Sequence, residues 1–206
     1  MITITNEDNM EMMARYPDNY FDLAIVDPPY GLERLKKGSL RLGGIKGNYK
    51  DKLKWDIKPN EKYFIELFRV SKNQIIWGGN NFILPPTEYF CIWNKKQTVD
   101  NFATAEYAWV SMGLKKPAKM FDYSIHKHNQ IDKIHPTEKP IPLYKWLLDK
   151  YANEGDKILD THLGSGAIAI ACHDYKFDLT ACELDKEYYT KSLDRLKKYQ
   201  MQQKMF

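Results

Sequence analysis

The chain has 206 residues, a formal charge of +4 at pH 7, 43% hydrophobic and 28% charged residues. This balance is typical of one globular domain with a full core. Its three cysteines, Cys91, Cys172 and Cys182, form no CxxC pair, which argues against a disulfide framework and favours reduced thiols. The sequence shows neither a signal-peptide pattern nor a run of about 18 apolar residues, so we expect a cytoplasmic protein with no membrane partner.

Strands and helices alternate along the predicted chain. The hydrophobic pattern predicts strands over residues 2–5, 21–27, 74–77, 89–93, 105–110, 157–160 and 177–183. It predicts helices over residues 8–15, 61–70, 140–151, 165–174 and 186–200. This order predicts an α/β fold with a doubly wound, mostly parallel, seven-stranded sheet. Trp77, Trp93 and Trp109 lie in apolar strands and are predicted to be core residues.

The most informative segment follows the second predicted strand. Asp27-Pro28-Pro29-Tyr30 comes directly after a short apolar run, and ligands of open α/β sheets bind at the carboxyl ends of such strands. Each proline fixes the residue before it in an extended conformation. The Asp27 carboxylate and the Pro28 carbonyl therefore form a rigid acceptor pair beside the ring of Tyr30. Such a pair suits the exocyclic amino group of a flat base.

A basic segment, residues 31–58, comes next. Nine Lys and Arg residues against three acidic residues give it a local charge of +6. A solvated surface is the ordinary explanation of such a run, but its position after Tyr30 favours contact with phosphates. The candidate nucleic-acid contacts are Arg34, Lys36, Lys37, Arg41, Lys46 and Lys50, with Trp55 as a candidate for stacking on a base.

Residues 113–134 are polar and basic, and we predict a short loop there. Within it, His126-Lys127-His128 lacks a third ligand at metal spacing, so no metal site is predicted. In the last helix, Lys191, Arg195, Lys197 and Lys198 are predicted to form a solvated face.

A second motif lies between the last two predicted strands. Gly164, Gly166 and Ala169 fit G-x-G-x-x-A at a strand-to-helix turn, and Glu183 follows Gly164 by nineteen residues. At this spacing an acidic residue reaches the hydroxyls of a ribose, while the helix N-terminus favours a negative group. The motif predicts an adenosine-type cofactor, either a dinucleotide or S-adenosylmethionine.

Together the motifs resemble those of the amino-methyltransferases that modify adenine N6 or cytosine N4 in DNA. Asp27-Pro28-Pro29-Tyr30 matches their catalytic tetrapeptide, and the segment from Asp160 to Gly166 resembles their D-P-F-x-G-x-G loop. The segment from His135 to Pro140 is similar to their H-P-T-x-K-P, and the segment from Glu7 to Glu11 is similar to their G-D-x-x-E. The order, with the catalytic motif first, is that of the β group, including compact phage and prophage enzymes.

The resemblance implies a circularly permuted methyltransferase fold of the Rossmann-like type. The strand over residues 2–5 should then lie beside that over residues 177–183, and the strands before Asp27 and Asp160 should be neighbours. We expect a single domain over residues 1–206, with a catalytic half over 1–112 and a cofactor-binding half over 135–206.

The resemblance also implies direct methyl transfer from S-adenosylmethionine to an amino nitrogen of a flipped-out base in DNA. Asp27, Pro28, Pro29 and Tyr30 would be the catalytic residues, and Asp at the first position favours adenine N6. Cytosine N4 is the alternative, and a third hypothesis is a non-catalytic nucleic-acid-binding subunit. A nicotinamide-dependent oxidoreductase is more distant, because its chemistry has no use for the tetrapeptide.

The cofactor residues implied by the resemblance come from four segments. Two departures bear on them: Thr161 and His162 replace the usual Pro-Phe, and Glu7 replaces the usual Gly. Glu183 would bind the ribose, Asp8 the adenine amino group, and Thr137 and Lys139 would lie near the methionine carboxylate. The full set is Asp8, Asn9, Thr137, Lys139, Asp160, Thr161, His162, Gly164, Ser165, Gly166, Glu183 and Leu184.

Only residues 31–58 and 113–134 remain for recognising a DNA sequence. Relatives carry a larger recognition region, so we expect modest specificity or a very short site. A separate subunit is the other way to supply recognition, and a homodimer is a further possible assembly. The sequence leaves open a restriction-modification, phage or orphan role.

Overall fold

The computed structural model describes residues 1–31, 57–129, 133–135 and 137–203. The strands are β1 Ile2–Thr5, β2 Phe21–Val26, β3 Ser71–Trp77, β4 Phe90–Asn94, β5 Ala105–Val110, β6 Lys119–Asp122, β7 Lys157–Asp160 and β8 Asp178–Cys182. The α-helices are α1 Asn9–Met13, α2 Glu61–Val70, α3 Ile125–His128, α4 Ile141–Tyr151, α5 Ala167–Tyr175 and α6 Lys186–Gln203. Predicted strands and helices are confirmed, with boundaries that shift by a few residues.

The strands form one sheet in the order β1-β8-β7-β2-β3-β5-β4-β6. All neighbours are parallel except β5, which runs antiparallel to both β3 and β4. The first strand pairs with the last, and β2 pairs with β7, as predicted for the permuted chain. Since β2 and β7 are parallel neighbours, Asp27 and Asp160 lie at the same edge of the sheet.

The prediction of seven strands was wrong, because an eighth lies within residues 113–134. There β6 pairs in parallel with β4, and the short helix α3 follows it. Its anchor is Phe121, whose ring lies 5.4 Å from that of Trp146. Just beyond the strand, the Tyr123 carbonyl accepts a 2.8 Å hydrogen bond from Trp93 Nε1. The strand has only four residues, two of them charged, so it has almost no hydrophobic pattern of its own.

Both faces of the sheet are covered. Along β2, Leu23 and Ile25 belong to the core cluster that includes α4 and α5. Ala24 and Val26 belong to the opposite cluster, which includes α1 and α2, as the alternation of side chains along a strand requires. This two-sided burial explains why β2 is apolar almost throughout.

Trp77, Trp93 and Trp109 were predicted to be core residues. Trp77 and Trp93 are almost fully buried and Trp109 is 6% exposed, so all three are core residues as predicted. Among the described residues, no helix combines the length and the apolar character that crossing a membrane requires.

Candidate active site

A cavity of about 560 Å³ opens at the carboxyl edge of the sheet. It joins the segments after β2, β7 and β8 to the loop before α4. Of the predicted residues, those that line it are Asp8, Asn9, Asp27, Pro28, Pro29, Tyr30, Thr137, Lys139, Thr161, His162, Gly164, Ser165, Glu183 and Leu184. Asp160 and Gly166 do not line the cavity, but they belong to the turn after β7 and support it from the side away from the cavity.

Two neighbours hold the carboxylate of Asp27. Tyr30 donates its hydroxyl proton to Asp27 Oδ1 over 2.6 Å, and Lys139 Nζ forms an ion pair with Oδ2. Gly78 fixes the Tyr30 ring from behind: its φ is +64°, and a Cβ there would come within 2.2 Å of Tyr30 Cε1. Burial, followed by the charge of Asp27, raises the pKa of Tyr30, so the phenol stays protonated and remains a donor.

Lys139 belongs to a longer chain of charges than the sequence indicated. Its side chain is 3% exposed, and its ammonium also lies 3.1 Å from Glu106 Oε2. Glu106 Oε1 in turn forms an ion pair with Lys95 Nζ over 2.5 Å. Glu106 lines the cavity, but the sequence analysis missed it. The available signal was one carboxylate in an otherwise apolar strand, Ala105–Val110.

The turn after β7 depends on two residues behind the lining. Asp160 Oδ1 accepts the His162 N–H over 3.0 Å. Gly166 has a φ of +72°, and a Cβ there would lie only 3.0 Å from Ser192 Cβ. Asp160 is 2% exposed. Burial raises the pKa of Asp160 to about 8, and the nearby charges of Asp27 and Glu183 act in the same direction.

The departure from Pro-Phe produces a hydrogen-bonded network. Burial lowers the pKa of His162 to about 3, so its ring is neutral. Asn9 Nδ2 donates to His162 Nε2 over 3.1 Å, which leaves the proton on Nδ1 to be donated to Thr161 Oγ1 over 2.9 Å. The Thr161 hydroxyl is also hydrogen-bonded to Tyr63 at 2.7 Å. Tyr63, another residue that the sequence analysis missed, thus connects α2 to this network.

Glu183 lies at the end of β8, across the turn. Its Oε2 accepts the Gly164 N–H over 2.8 Å and its Oε1 accepts the Asp185 N–H over 2.9 Å. Burial raises its pKa, against these hydrogen bonds. Asp8, also in the lining, caps α1 by accepting the Met10 N–H over 2.7 Å.

Arg195 was predicted to lie on a solvated face, and this prediction was wrong. Its guanidinium lies 2.8 Å from Glu138, whose side chain is fully buried. It also donates to the Ser165 carbonyl over 3.1 Å. His128 Nε2 donates to the Glu138 carbonyl over 2.8 Å. These contacts tie the loop that carries Thr137 and Lys139 to the glycine turn.

The predicted nucleic-acid contacts Arg34, Lys36, Lys37, Arg41, Lys46, Lys50 and Trp55 lie outside the described residues. The described end of the basic segment, Ile57 and Lys58, lines the cavity. The ammonium of Lys58 lies 5.6 Å from the centroid of the Phe82 ring. Within the described ranges, no group of three His, Cys, Asp or Glu residues could hold a metal ion.

Residues 60–194 match the family model of the N6 and N4 DNA methylases. The type II methyltransferase M.HpaI of Haemophilus parainfluenzae is 33% identical over 81 residues. That alignment covers 39% of this chain and only 26% of M.HpaI. The aligned part thus spans about a quarter of the relative's length.

Solved structures share the fold at low identity. The M1.HpyAVI–SAM complex has a TM-score of 0.62 and 18% identity, covering 95% of this chain and 100% of that chain. The PvuII DNA methyltransferase, a cytosine-N4-specific enzyme, has a TM-score of 0.60 and 12% identity, covering 94% of this chain and 86% of its own.

The permuted α/β sheet and the cavity at its carboxyl edge define a Rossmann-like protein of the methyltransferase type. Because the family model covers more than half of its length, the chain belongs to the N6/N4 DNA methylase family.

Proposed function

We propose that the chain is an S-adenosylmethionine-dependent DNA methyltransferase that methylates the N6 amino group of an adenine flipped out of the duplex. One observation carries the proposal: the carboxylate of Asp27 faces the same cavity as the glycine turn and Glu183. An acceptor for an amino group and a site for a nucleoside-type cofactor therefore lie together.

The cavity residues fit S-adenosylmethionine. A volume of about 560 Å³ is within the usual range for a ligand pocket. Glu183 offers acceptors to a ribose diol. Gly164 has a left-handed backbone, with a φ of +54°, and no side chain, so the main chain of the turn can approach a ligand closely. The neutral ring of His162 takes the place of the phenylalanine usual in the family. When bound, S-adenosylmethionine supplies an electrophilic methyl group on its sulfonium sulfur.

Asp27 prepares the amino group for transfer. The lone pair of an exocyclic amine is delocalised into the ring, which makes the nitrogen a poor nucleophile. We infer that the Asp27 carboxylate and the Pro28 carbonyl accept its two N–H groups and orient the lone pair. The carboxylate then stabilises the positive charge that develops on the nitrogen. After transfer, the nitrogen returns to neutrality by releasing one proton to solvent.

Tyr30 offsets part of the cost of base flipping. Extruding a base costs a few kcal/mol, and stacking on an aromatic ring returns about 1–3 kcal/mol. The Tyr30 ring lines the cavity and is fixed by its contacts with Asp27 and Gly78. A ring that is already ordered loses little entropy when the base arrives.

DNA is the proposed partner. The basic segment over residues 31–58 would contact phosphates, since its described end lies at the cavity. Sequence recognition would come from residues 31–58 and 113–134, or from a separate subunit.

Cytosine N4 is the second candidate, favoured by the fold shared with the cytosine-N4-specific PvuII enzyme. Asp27 at the head of the tetrapeptide favours adenine instead. The two bases present the same kind of amino group, so the acceptor pair alone suits both.

The test is to incubate the purified chain with S-adenosylmethionine and mixed-sequence unmethylated DNA, and to analyse the digested nucleosides by mass spectrometry. We expect N6-methyladenine. N4-methylcytosine alone would move the proposal to the second candidate. No methylated base, with cofactor and DNA both bound, would instead indicate a non-catalytic binding subunit.

A further inference from the structure

Glu106 is the least expected charged residue in the cavity. It lies on β5, pairs in register with Trp93 of β4, and belongs to none of the motifs. Its Oε2 is 3.1 Å from Lys139 Nζ and its Oε1 is 2.5 Å from Lys95 Nζ. Because Lys139 also pairs with Asp27, the four charges form one chain: Lys95, Glu106, Lys139, Asp27.

Three separate elements fix Lys139 at the centre of this chain. Lys139 itself belongs to the loop before α4. Its ammonium lies between the carboxylate of Asp27, which follows β2, and that of Glu106, which belongs to β5. Its Nζ also lies 5.2 Å from the centroid of the Trp77 ring at the end of β3. The side chain is 3% exposed. A buried ammonium needs nearby negative charge, and here it has two carboxylates.

The charges depend on each other. Burial opposes the ionisation of Lys139, but Asp27 and Glu106 together raise its pKa above the usual value. Burial likewise opposes ionisation of Glu106, but Lys139 and Lys95 hold its pKa at about 2. Glu106 and Lys139 are therefore both charged at neutral pH. Removing the Glu106 charge would leave Asp27 as the one remaining carboxylate within ion-pairing distance of Lys139 among the described residues.

We propose that Glu106 is a positioning residue for Asp27, acting through Lys139. Glu106 shares the ammonium of Lys139, so Lys139 fixes Asp27 Oδ2 without taking up its full negative charge. Tyr30 fixes Oδ1 from the other side. The carboxylate is thereby kept in one orientation and remains a strong acceptor for an amino group. This inference rests on the proposed function, because it assigns a role within the same methyl transfer.

Lys139 then has a different role from the one that the family resemblance implies. A contact with the cofactor carboxylate would make Lys139 and its partner Glu106 important for cofactor affinity. A role in orienting Asp27 would make them important for the rate of transfer. Turnover and cofactor binding can be measured separately, so the two roles can be distinguished.

The experiment compares Glu106→Gln, Glu106→Asp and the wild-type chain, with Glu154→Gln as a matched control. Glu154 is exposed and does not line the cavity. The readouts are kcat on unmethylated DNA, the KM and Kd for S-adenosylmethionine, and the melting temperature. Glu106→Gln removes the charge at nearly constant volume, whereas Glu106→Asp keeps the charge on a shorter side chain.

We expect Glu106→Gln to lower kcat by about 10- to 100-fold, the cost of a misplaced catalytic group, while the Kd for the cofactor stays unchanged. Glu106→Asp should recover part of the lost rate, and Glu154→Gln should behave as the wild type. Recovery by Asp is the signature of the charge, and it still tests the inference if the Gln variant folds poorly.

Three results would overturn the inference. An unchanged kcat in Glu106→Gln would show that Asp27 needs no help from Glu106. A weaker cofactor Kd at constant kcat would assign Glu106 and Lys139 to cofactor binding. Equal rate losses in the Gln and Asp variants would show that the charge is irrelevant. A wild-type chain that transfers no methyl group would instead overturn the proposed function, and this inference with it.

Discussion

The two sides of the cavity are built from different kinds of contact. The acceptor rim, formed by Asp27, Tyr30, Glu106 and Lys139, is held by charged side chains from separate elements. The cofactor rim, formed by residues 161–165 and Glu183, is held by backbone geometry, a neutral histidine and hydrogen bonds to main-chain N–H groups. The acceptor rim is thus a network of ion pairs, and the cofactor rim is a glycine turn with a defined backbone conformation.

This difference follows from what each rim is proposed to do. A group that orients an amine must keep its negative charge and its direction during the reaction, and a buried chain of ion pairs supplies both. A group that binds a nucleoside needs shape and acceptors, and a glycine turn closed by a carboxylate provides them locally. Substitutions in one rim should therefore leave the role of the other rim intact.

The largest effect is expected on the acceptor rim. Asp27→Ala removes the acceptor for the amino group, and turnover should fall by at least about 10²–10³-fold. Asp100→Ala, an exposed carboxylate away from the cavity, is the control and should retain full activity. Rates on unmethylated DNA under saturating cofactor measure the effect. An Asp27→Ala variant with near-normal turnover would remove the basis for the acceptor rim.

The next effect concerns Gly166, which follows the cofactor rim and lies behind the cavity lining. Gly166 and Gly155 both have positive φ, but a Cβ would lie 3.0 Å from Ser192 Cβ at Gly166 and would have nothing within 4 Å at Gly155. Gly155→Ala should therefore lower the free energy of unfolding by about 1–3 kcal/mol, from left-handed strain alone. Gly166→Ala should lower it further. Urea unfolding measures both. Equal losses would show that the turn tolerates a side chain.

A pH effect follows from Asp160. Its pKa is raised from 3.8 to about 8, so between these values the folded chain keeps a proton that the unfolded chain has lost. Stability should fall as pH rises through this range, by about 1.4 kcal/mol per pH unit from this group. The loss should level off above about pH 8.

Asp160→Asn tests this, since it keeps an acceptor for the His162 N–H but cannot ionise. The variant should lose this part of the pH dependence and be more stable than the wild type at pH 8. Asp100→Asn serves as the control. Parallel stability curves for the wild type and Asp160→Asn between pH 5 and pH 8 would contradict the assignment.

The smallest effect is expected at Arg195, which joins the two rims from outside. Arg195→Gln leaves the buried Glu138 without its ion-pair partner, which should cost about 1 kcal/mol or more, or about 2–4 °C in Tm for a chain of this size. Lys197→Gln, on the exposed part of the same helix, should leave Tm unchanged. Identical Tm values for the two variants would show that Arg195 contributes no more to stability than an exposed residue of the same helix.

The meeting of two segments at one cavity could be predicted from sequence, because each segment is a local motif at the end of a strand. The turn residues from Asp160 to Gly166 are contiguous, and so are those from Asp27 to Tyr30. Glu106 could not be predicted, since its role depends on Lys139 and Lys95, which other elements bring to it. Arg195 was missed for the same reason, and the edge strand β6 because pairing with β4, not its own pattern, defines it.

Separate roles for the two rims are tested most directly by titrating S-adenosylmethionine into Asp27→Asn and Glu183→Gln side by side. The account predicts an unchanged Kd for Asp27→Asn. For Glu183→Gln it predicts a Kd about tenfold weaker or more, the usual cost of losing a charged hydrogen-bond partner. Equal losses of affinity in the two variants would contradict the account, because the rims would then act as one binding surface.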